Sequence, residues 1–315
     1  MTIQSMTGDY RTSASLLNGS GNHKFEVNAD NIHLLGLETH GLRAFPTGSR
    51  SNIEFINCTF QDSNAGDFFE STSSATLIKD VVFYGNEFKN IGTRGSDTLN
   101  GIVYYYAGST NVNWLVSDNT FDTISWNGLA INGAGGFTIK NNVFKNTCDN
   151  GIQIHYFSVN SPTGSVVISK NTFDNNRSTG CISGAMGDGL GISAIAGASA
   201  NVPIQITDNS FVNNERALRF HDNYSVCNLT GKSVSITSNS FAVNNSVGVY
   251  QDCVGQLNIS DNYWGSLTGP TLAGHPTGTG AIVHIEPAAT GGDPVTGTLS
   301  GPGTILLLTY RQYAP

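Results

Sequence analysis

Ser117–Phe121 reads SDNTF, Lys140–Phe144 KNNVF, Ser169–Phe173 SKNTF, Thr207–Phe211 TDNSF and Thr237–Phe241 TSNSF. The same phrase opens earlier, as Ile56–Phe60 (INCTF) and Tyr84–Phe88 (YGNEF). It closes as Ser260–Trp264 (SDNYW), with an indole in the ring slot. An Asn stands two residues before each ring, except where Cys58 takes its place. Five residues before each ring stands an apolar residue: Phe55, Phe83, Val116, Ile139, Ile168, Ile206, Ile236 and Ile259. Successive rings are 23 to 38 residues apart, the length of one turn of a stacked array.

Within each phrase apolar residues alternate at period two, which specifies short strands. No stretch carries a helical period, and charged residues make up only 12% of the chain, too few to clothe a helical solenoid. Gly, Asn, Ser and Thr supply turns. The economical arrangement is a chain winding in coils, each giving about three strands to three parallel sheets, with coils spaced by roughly 4.8 Å. The recurring Asn would bond its counterpart in the next coil, as stacked Asn ladders do. The recurring Phe would stack on its counterparts in the core. Cys58, in an Asn slot, reads as a buried small residue.

These phrases, the GIxI-type strands and the closing DNYWGSLTGP resemble the right-handed parallel β-helix, pectate-lyase-like superfamily over about Lys24 to Pro287. The resemblance implies an all-β, single-stranded right-handed parallel β-helix of about nine to ten coils. The group includes polysaccharide lyases and hydrolases, phage tailspikes and non-catalytic surface proteins, so the fold alone does not fix an activity.

The chain is read as an N-terminal cap or first coil (1–23), a β-helix (24–287), and a linker with a C-terminal strand (288–315). That last strand, Thr304–Tyr310 (TILLLTY), reads as a cap over the open end of the solenoid. The second reading is a subunit contact, in a trimer or in end-to-end assembly. Net charge is −8, which argues against a nucleic-acid partner. No apolar run is long enough for a membrane span. The N-terminal MTIQSMTGDYRTS lacks the apolar segment of a secretory signal. An extracellular, cell-surface or virion location is then expected, with either a leader outside this sequence or release by lysis. Of the five cysteines, Cys148 and Cys181 fall in adjacent coils, as do Cys227 and Cys253. A pairing is conceivable, but we read all five as buried or turn thiols. Their spacing matches no zinc pattern, and no metal or cofactor is expected.

After each phrase comes a second strand, often opened by Gly. Its outward positions, in stack order, are Arg43/Phe45, Val103/Tyr105, Ala130/Asn132, Gln153/His155, Gly191/Ser193, Arg219/His221 and Gly248/Tyr250. Gly191 and Ser193 form the smallest pair. They predict a shallow notch about 10 Å wide between Gln153/His155 and Arg219/His221. Tyr105 and Tyr250 extend the stripe. Aromatic faces and planar hydrogen-bonding groups suit sugars, so Tyr105, Gln153, His155, Ser193, Asp222 and Tyr250 are candidate substrate-binding residues. Long segments at 157–165, 178–189, 196–203 and 222–232 border the notch, as recognition loops do.

Acids stand at both ends of these strands: Asp149, Asp188 and Glu215 before them, Asp222 and Asp252 after. Glycoside hydrolysis needs two carboxyl groups, and Asp188 with Glu215 is the expected pair. β-Elimination would need a cation and a base. Arg219 is the candidate for the first, and His221, His155 or Tyr250 for the second. Lyases of the superfamily often use calcium held by carboxylates, and no dense acidic cluster of that kind is evident. GDGLGIS (187–193) resembles the GHG motif of polygalacturonase-type hydrolases, but Asp188 replaces its His, and the NTD and RIK motifs are missing. The expectation is a protein that binds and cleaves an extracellular or capsular polysaccharide, as hydrolase or lyase. The alternative is a non-catalytic surface, fibre or filament protein using the solenoid as a rigid glycan-binding or self-assembling rod.

Overall fold

The structure is a computed structural model that describes residues 2–4, 23–64, 66–71, 75–106, 108, 110–133, 135–155, 163–193, 202–221, 227–253, 255–272, 277–285, 303–307 and 310–312. The described residues form strands and turns, with no helix. Three parallel sheets run the length of the stack, with nine, eight and ten strands. A single coil illustrates the path. Phe137–Lys140 lies in the nine-stranded sheet, Val143–Lys145 in the eight-stranded sheet and Asn150–His155 in the ten-stranded sheet.

The phrase places its ring at one register position of the eight-stranded sheet, where Phe88, Phe121, Phe144, Phe173, Phe211 and Phe241 follow one another in register. Their rings stack at 4.5 to 5.3 Å with nearly parallel planes, and Trp264 continues the column 4.7 Å beyond Phe241. The Asn of each phrase sits in the turn before that sheet. Along Asn86, Asn119, Asn142, Asn171, Asn209, Asn239 and Asn262, each Nδ2 donates to the Oδ1 of the next Asn in the series, at 2.9 to 3.0 Å. Each Nδ2 in the run also satisfies a carbonyl of an earlier coil, such as Asn171 to Ile139 at 2.9 Å. Cys58 joins by donating its backbone N–H to Asn86 Oδ1. A second ladder, invisible to the phrase, runs through Asn176, Asn214 and Asn245 in the turn after the Phe sheet.

The residue ahead of each ladder Asn takes a left-handed backbone, as at Asp118, Asn141, Asp208 and Asp261. Asp and Asn tolerate that region better than most residues. The strand-opening glycines answer a different need. A Cβ on Gly128 would lie 2.7 Å from the carbonyl oxygen of Gly151 and 2.8 Å from the Phe144 ring. Gly151 and Gly189 repeat the same close approach one and two coils on.

Two disulfides, Cys148–Cys181 and Cys227–Cys253, correct the reading of five thiols; only Cys58 is free, and it is buried. The coil stack brings each pair within 5.8 and 4.7 Å between Cα atoms. At the far end, Gly303–Leu306 pairs in parallel with Gly255–Asn258, and Ile305 and Leu307 pack on the core. The stretch 288–300 and most of 1–23 lie outside the described residues. Among the described residues, no helix is long and apolar enough to cross a membrane.

Candidate functional site on the ten-stranded sheet

From Val103/Tyr105 to Arg219/His221 the outward rows of the ten-stranded sheet fall in the expected register, but both ends are shifted by two residues: Tyr250 pairs with Arg219 rather than His221, and Ala44 pairs with Phe69, which puts Phe45 rather than Arg43 in the Val103 row. One row runs Val103, Ala130, Gln153, Gly191, Arg219, Tyr250 and His284; the other runs Tyr105, Asn132, His155, Ser193 and His221. The coil at Asp67–Ser71 (DFFES), not among the outward positions expected from sequence, places Phe69 and Ser71 inward and Glu70 outward, opposite Val103. Glu70 is ion-paired to Arg43 of the preceding coil.

The expected open notch is not there. Ser193 is fully buried, His221 is 1% exposed and His155 6%. The space above Gly191 holds the Asn150 side chain, whose Oδ1 would be 2.6 Å from a Cβ at that position. Asn150 belongs to an outer ladder with Asn127 and Asn100, and Asn127 also donates to Gln153 Oε1 at 3.0 Å. The small pair at 191 and 193 therefore makes room for neighbouring side chains rather than for solvent. The Ser193 hydroxyl and His155 Nδ1 are hydrogen-bonded across one rung. Burial holds the His155 pKa down, to about 4. His221 is pushed lower still, by burial and then by Arg219. Both imidazoles are therefore neutral at neutral pH.

The charged chemistry gathers at the other end of these strands. Asp188 is fully buried, and its Oδ1 accepts from Arg216 Nε at 2.5 Å; its Oδ2 lies 3.8 Å from Arg219 Nη1. Burial nevertheless raises its pKa to about 6 against the pull of the two guanidiniums. Asp149, one coil earlier and 2% exposed, is raised to about 7 by burial and then by the negative charge of Asp188. Burial thus raises both carboxyl groups, and the charge of Asp188 raises Asp149 further.

The segment from Arg177 to Gly187 closes over them. Met186 donates its N–H to Asp149 Oδ1 at 2.9 Å, its carbonyl accepts from Arg216 at 2.5 Å, and its sulfur lies 2.8 Å from Arg219 Nη1. The Cys148–Cys181 bond ties the segment to the coil below. Arg94 grips the carbonyls of Arg177 and Thr179. Glu215 accepts from the Ser178 hydroxyl at 2.5 Å and from its N–H at 3.2 Å. The structure thus sets Asp149 beside Asp188, while the Glu215 carboxylate is engaged in holding the covering segment. Sequence alone passed over Asp149 as a partner. The available signal was its place next to Cys148 in CDNG, on the coil facing Cys181.

Around Tyr250 this face is aromatic and cationic. Arg219 lies over the Tyr250 ring at 5.3 Å and Arg216 at 5.8 Å. Tyr250 stacks on His284 at 4.9 Å with planes 13° apart. Arg219 also reaches Asp252, at 3.9 Å. Tyr105 is partly exposed but five coil steps from Tyr250, about 24 Å away. Asp222 and the segments 156–162, 194–201 and 222–226 lie outside the described residues. Among the described residues, no three His, Cys, Asp or Glu side chains are grouped to hold a metal ion.

No curated protein and no solved structure matched the chain. A family model described as a right handed beta helix region matches residues 3–263. With the phenylalanine column, the Asn ladders and three parallel sheets all inside that span, the chain belongs to the right-handed β-helix family.

Proposed function

We propose that this protein binds a polysaccharide along the ten-stranded sheet and hydrolyses it with Asp149 and Asp188. The observation that carries the reading is the neighbouring carboxyl pair, raised to about 7 and about 6, beside the Arg219–Tyr250–His284 platform. Tyr250, sandwiched between Arg219 and His284, offers its rim and hydroxyl to a sugar, and Arg216 and Arg219 offer planar donors. A protonated Asp149 would supply the leaving-group proton, and an ionised Asp188 would activate water or attack the anomeric carbon. Hydrolysis is preferred to β-elimination because Arg219 is already committed to Asp188, Met186 and Asp252, which leaves it poorly placed to neutralise a uronate. An extracellular, cell-surface or virion location fits this role.

One observation favours the non-catalytic glycan-binding rod: both carboxyl groups are closed to solvent beneath Met186. Incubation with plant and bacterial polysaccharides, read by reducing ends and by absorbance near 235 nm, separates the readings. Reducing ends lost in Asp188→Asn support hydrolysis. Absorbance would replace it with elimination, and silence with retained glycan binding would leave the rod.

A further inference from the structure

We propose a second centre on the same sheet, an acyl-transfer site in which Ser193 is the nucleophile, His155 its base and His221 the oxyanion donor, acting on O-acyl esters of the bound polysaccharide. The substrate class rests on the carbohydrate reading above; the chemistry at Ser193 does not.

Three geometric facts carry it. His155, Ser193 and His221 occupy one register position on three consecutive strands, so their side chains stand about 4.8 Å apart in a row. The Ser193 hydroxyl already bonds His155 Nδ1, which is the nucleophile–base contact that acyl transfer requires. On the other side of Ser193, His221 is 1% exposed, yet among the described residues neither of its ring nitrogens has a hydrogen-bond partner. A buried unpaired imidazole is costly and marks an absent partner. Its N–H suits an oxygen that develops charge next to Ser193. Neutrality of both rings at neutral pH is required by these roles and is supplied by their burial.

The steps balance without a further reagent. Ser193 Oγ forms a bond to the ester carbonyl carbon while its proton passes to His155 Nδ1. The carbonyl oxygen becomes the oxyanion and accepts from His221. Collapse breaks the carbon–oxygen bond to the sugar, whose hydroxyl leaves with the proton from His155. Water then attacks the acyl-serine, loses a proton to His155 and releases a carboxylic acid. Ser193 recovers its proton.

Ser193 is closed to solvent in this conformation, so a small probe is appropriate. The folded protein would be treated with diisopropyl fluorophosphate and followed by intact mass and peptide mapping. The expected result is one adduct, on Ser193, absent in Ser193→Ala. His155→Gln can still accept the hydroxyl hydrogen bond but cannot take its proton. It should slow labelling by about 100-fold with an unchanged melting temperature. No adduct on the folded protein, an adduct elsewhere, or wild-type labelling in His155→Gln overturns the proposal. Acetate release from an O-acetylated polysaccharide, lost in Ser193→Ala, would support the substrate class. Labelling of Ser193 by a protein that binds no glycan would keep the centre and remove the carbohydrate reading.

Discussion

The main-chain N–H of Met186 donates to Oδ1 of Asp149 at 2.9 Å, joining residues 37 positions apart in sequence. Through that bond a surface segment caps a buried acid that has no cation of its own in contact. Asp188, by contrast, has Arg216 at 2.5 Å. The two carboxyl groups of one pocket are thereby made unequal, which is how one acid keeps a proton while its neighbour gives one up.

That inequality has a thermal signature. Asp149 holds its proton to about pH 7 in the folded chain, while its ordinary value is 3.8. Between these values the folded state binds more protons than the unfolded, so this group's contribution to stability falls as pH rises and levels off above about 7. Asp149→Asn removes the effect. The melting temperature of the variant relative to wild type should therefore climb from pH 4 to pH 7, read by calorimetry; a flat difference would show that Asp149 titrates normally.

The covering segment depends on its covalent tie. Cys148 and Cys181 close a loop of 33 residues, and Cys148→Ser with Cys181→Ser should cost about 3 kcal/mol in denaturant unfolding. Thiol titration of the unfolded, unreduced protein should find a single thiol, Cys58. Three or more would place the cysteines outside these pairings.

Among the described residues, Thr123 is the one β-branched residue at a left-handed position, with φ 58°, and it is exposed. The matching turn positions carry Asn90, Asn146, Asn175 and Asn213, all with φ between 53° and 58°. Thr123→Asn should stabilise the chain by about 1 kcal/mol, seen as a higher urea midpoint at constant slope. A lower midpoint would mean that the Thr123 hydroxyl bond to Asp122 outweighs the backbone strain.

Asn171 sits mid-ladder. It accepts from the N–H and the amide of Asn142 and donates to Ile139 and Asn209, at 2.9 to 3.0 Å. Asn171→Ala leaves a buried backbone N–H without its acceptor and should cost about 3 kcal/mol. An exposed ladder residue such as Asn175, changed to Ala, should cost well under half of that in the same titration.

Why was the fold so readable and the site so much less so? Phe121, Phe144, Phe173 and Phe211 occupy equivalent slots, and equivalent slots select the same side chain, so the core writes its period into the sequence. Alternation then assigned the faces of the ten-stranded sheet, and the two outward rows fell in register from Val103 to His221, while a two-residue slip at Tyr250 left the alternation, and so the face, unchanged. What stands above those rows follows no period. Asn150 fills the space over Gly191 from the end of its own strand. Met186 reaches Asp149 only because a loop is held by Cys148, Arg94 and Glu215, three anchors from three separate coils. Glu215 looked like half of an acid pair because both acids precede neighbouring strands. Its carboxylate instead turns to Ser178, a choice set by loop conformation rather than by spacing.

The disulfides also give the rod a direction. Both lie beyond residue 147, joining neighbouring coils in the C-terminal half, while the earlier coils are held to each other by non-covalent contacts alone. Pulled along its axis, such a stack peels one coil at a time from its unstapled end. The first rupture events would release the coils around Phe60, Phe88 and Phe121 in order, and tearing would stall where Cys148 is bonded to Cys181. An anchor at the C-terminal end would then keep the Asp149–Tyr250 region folded under loads that strip away the other half.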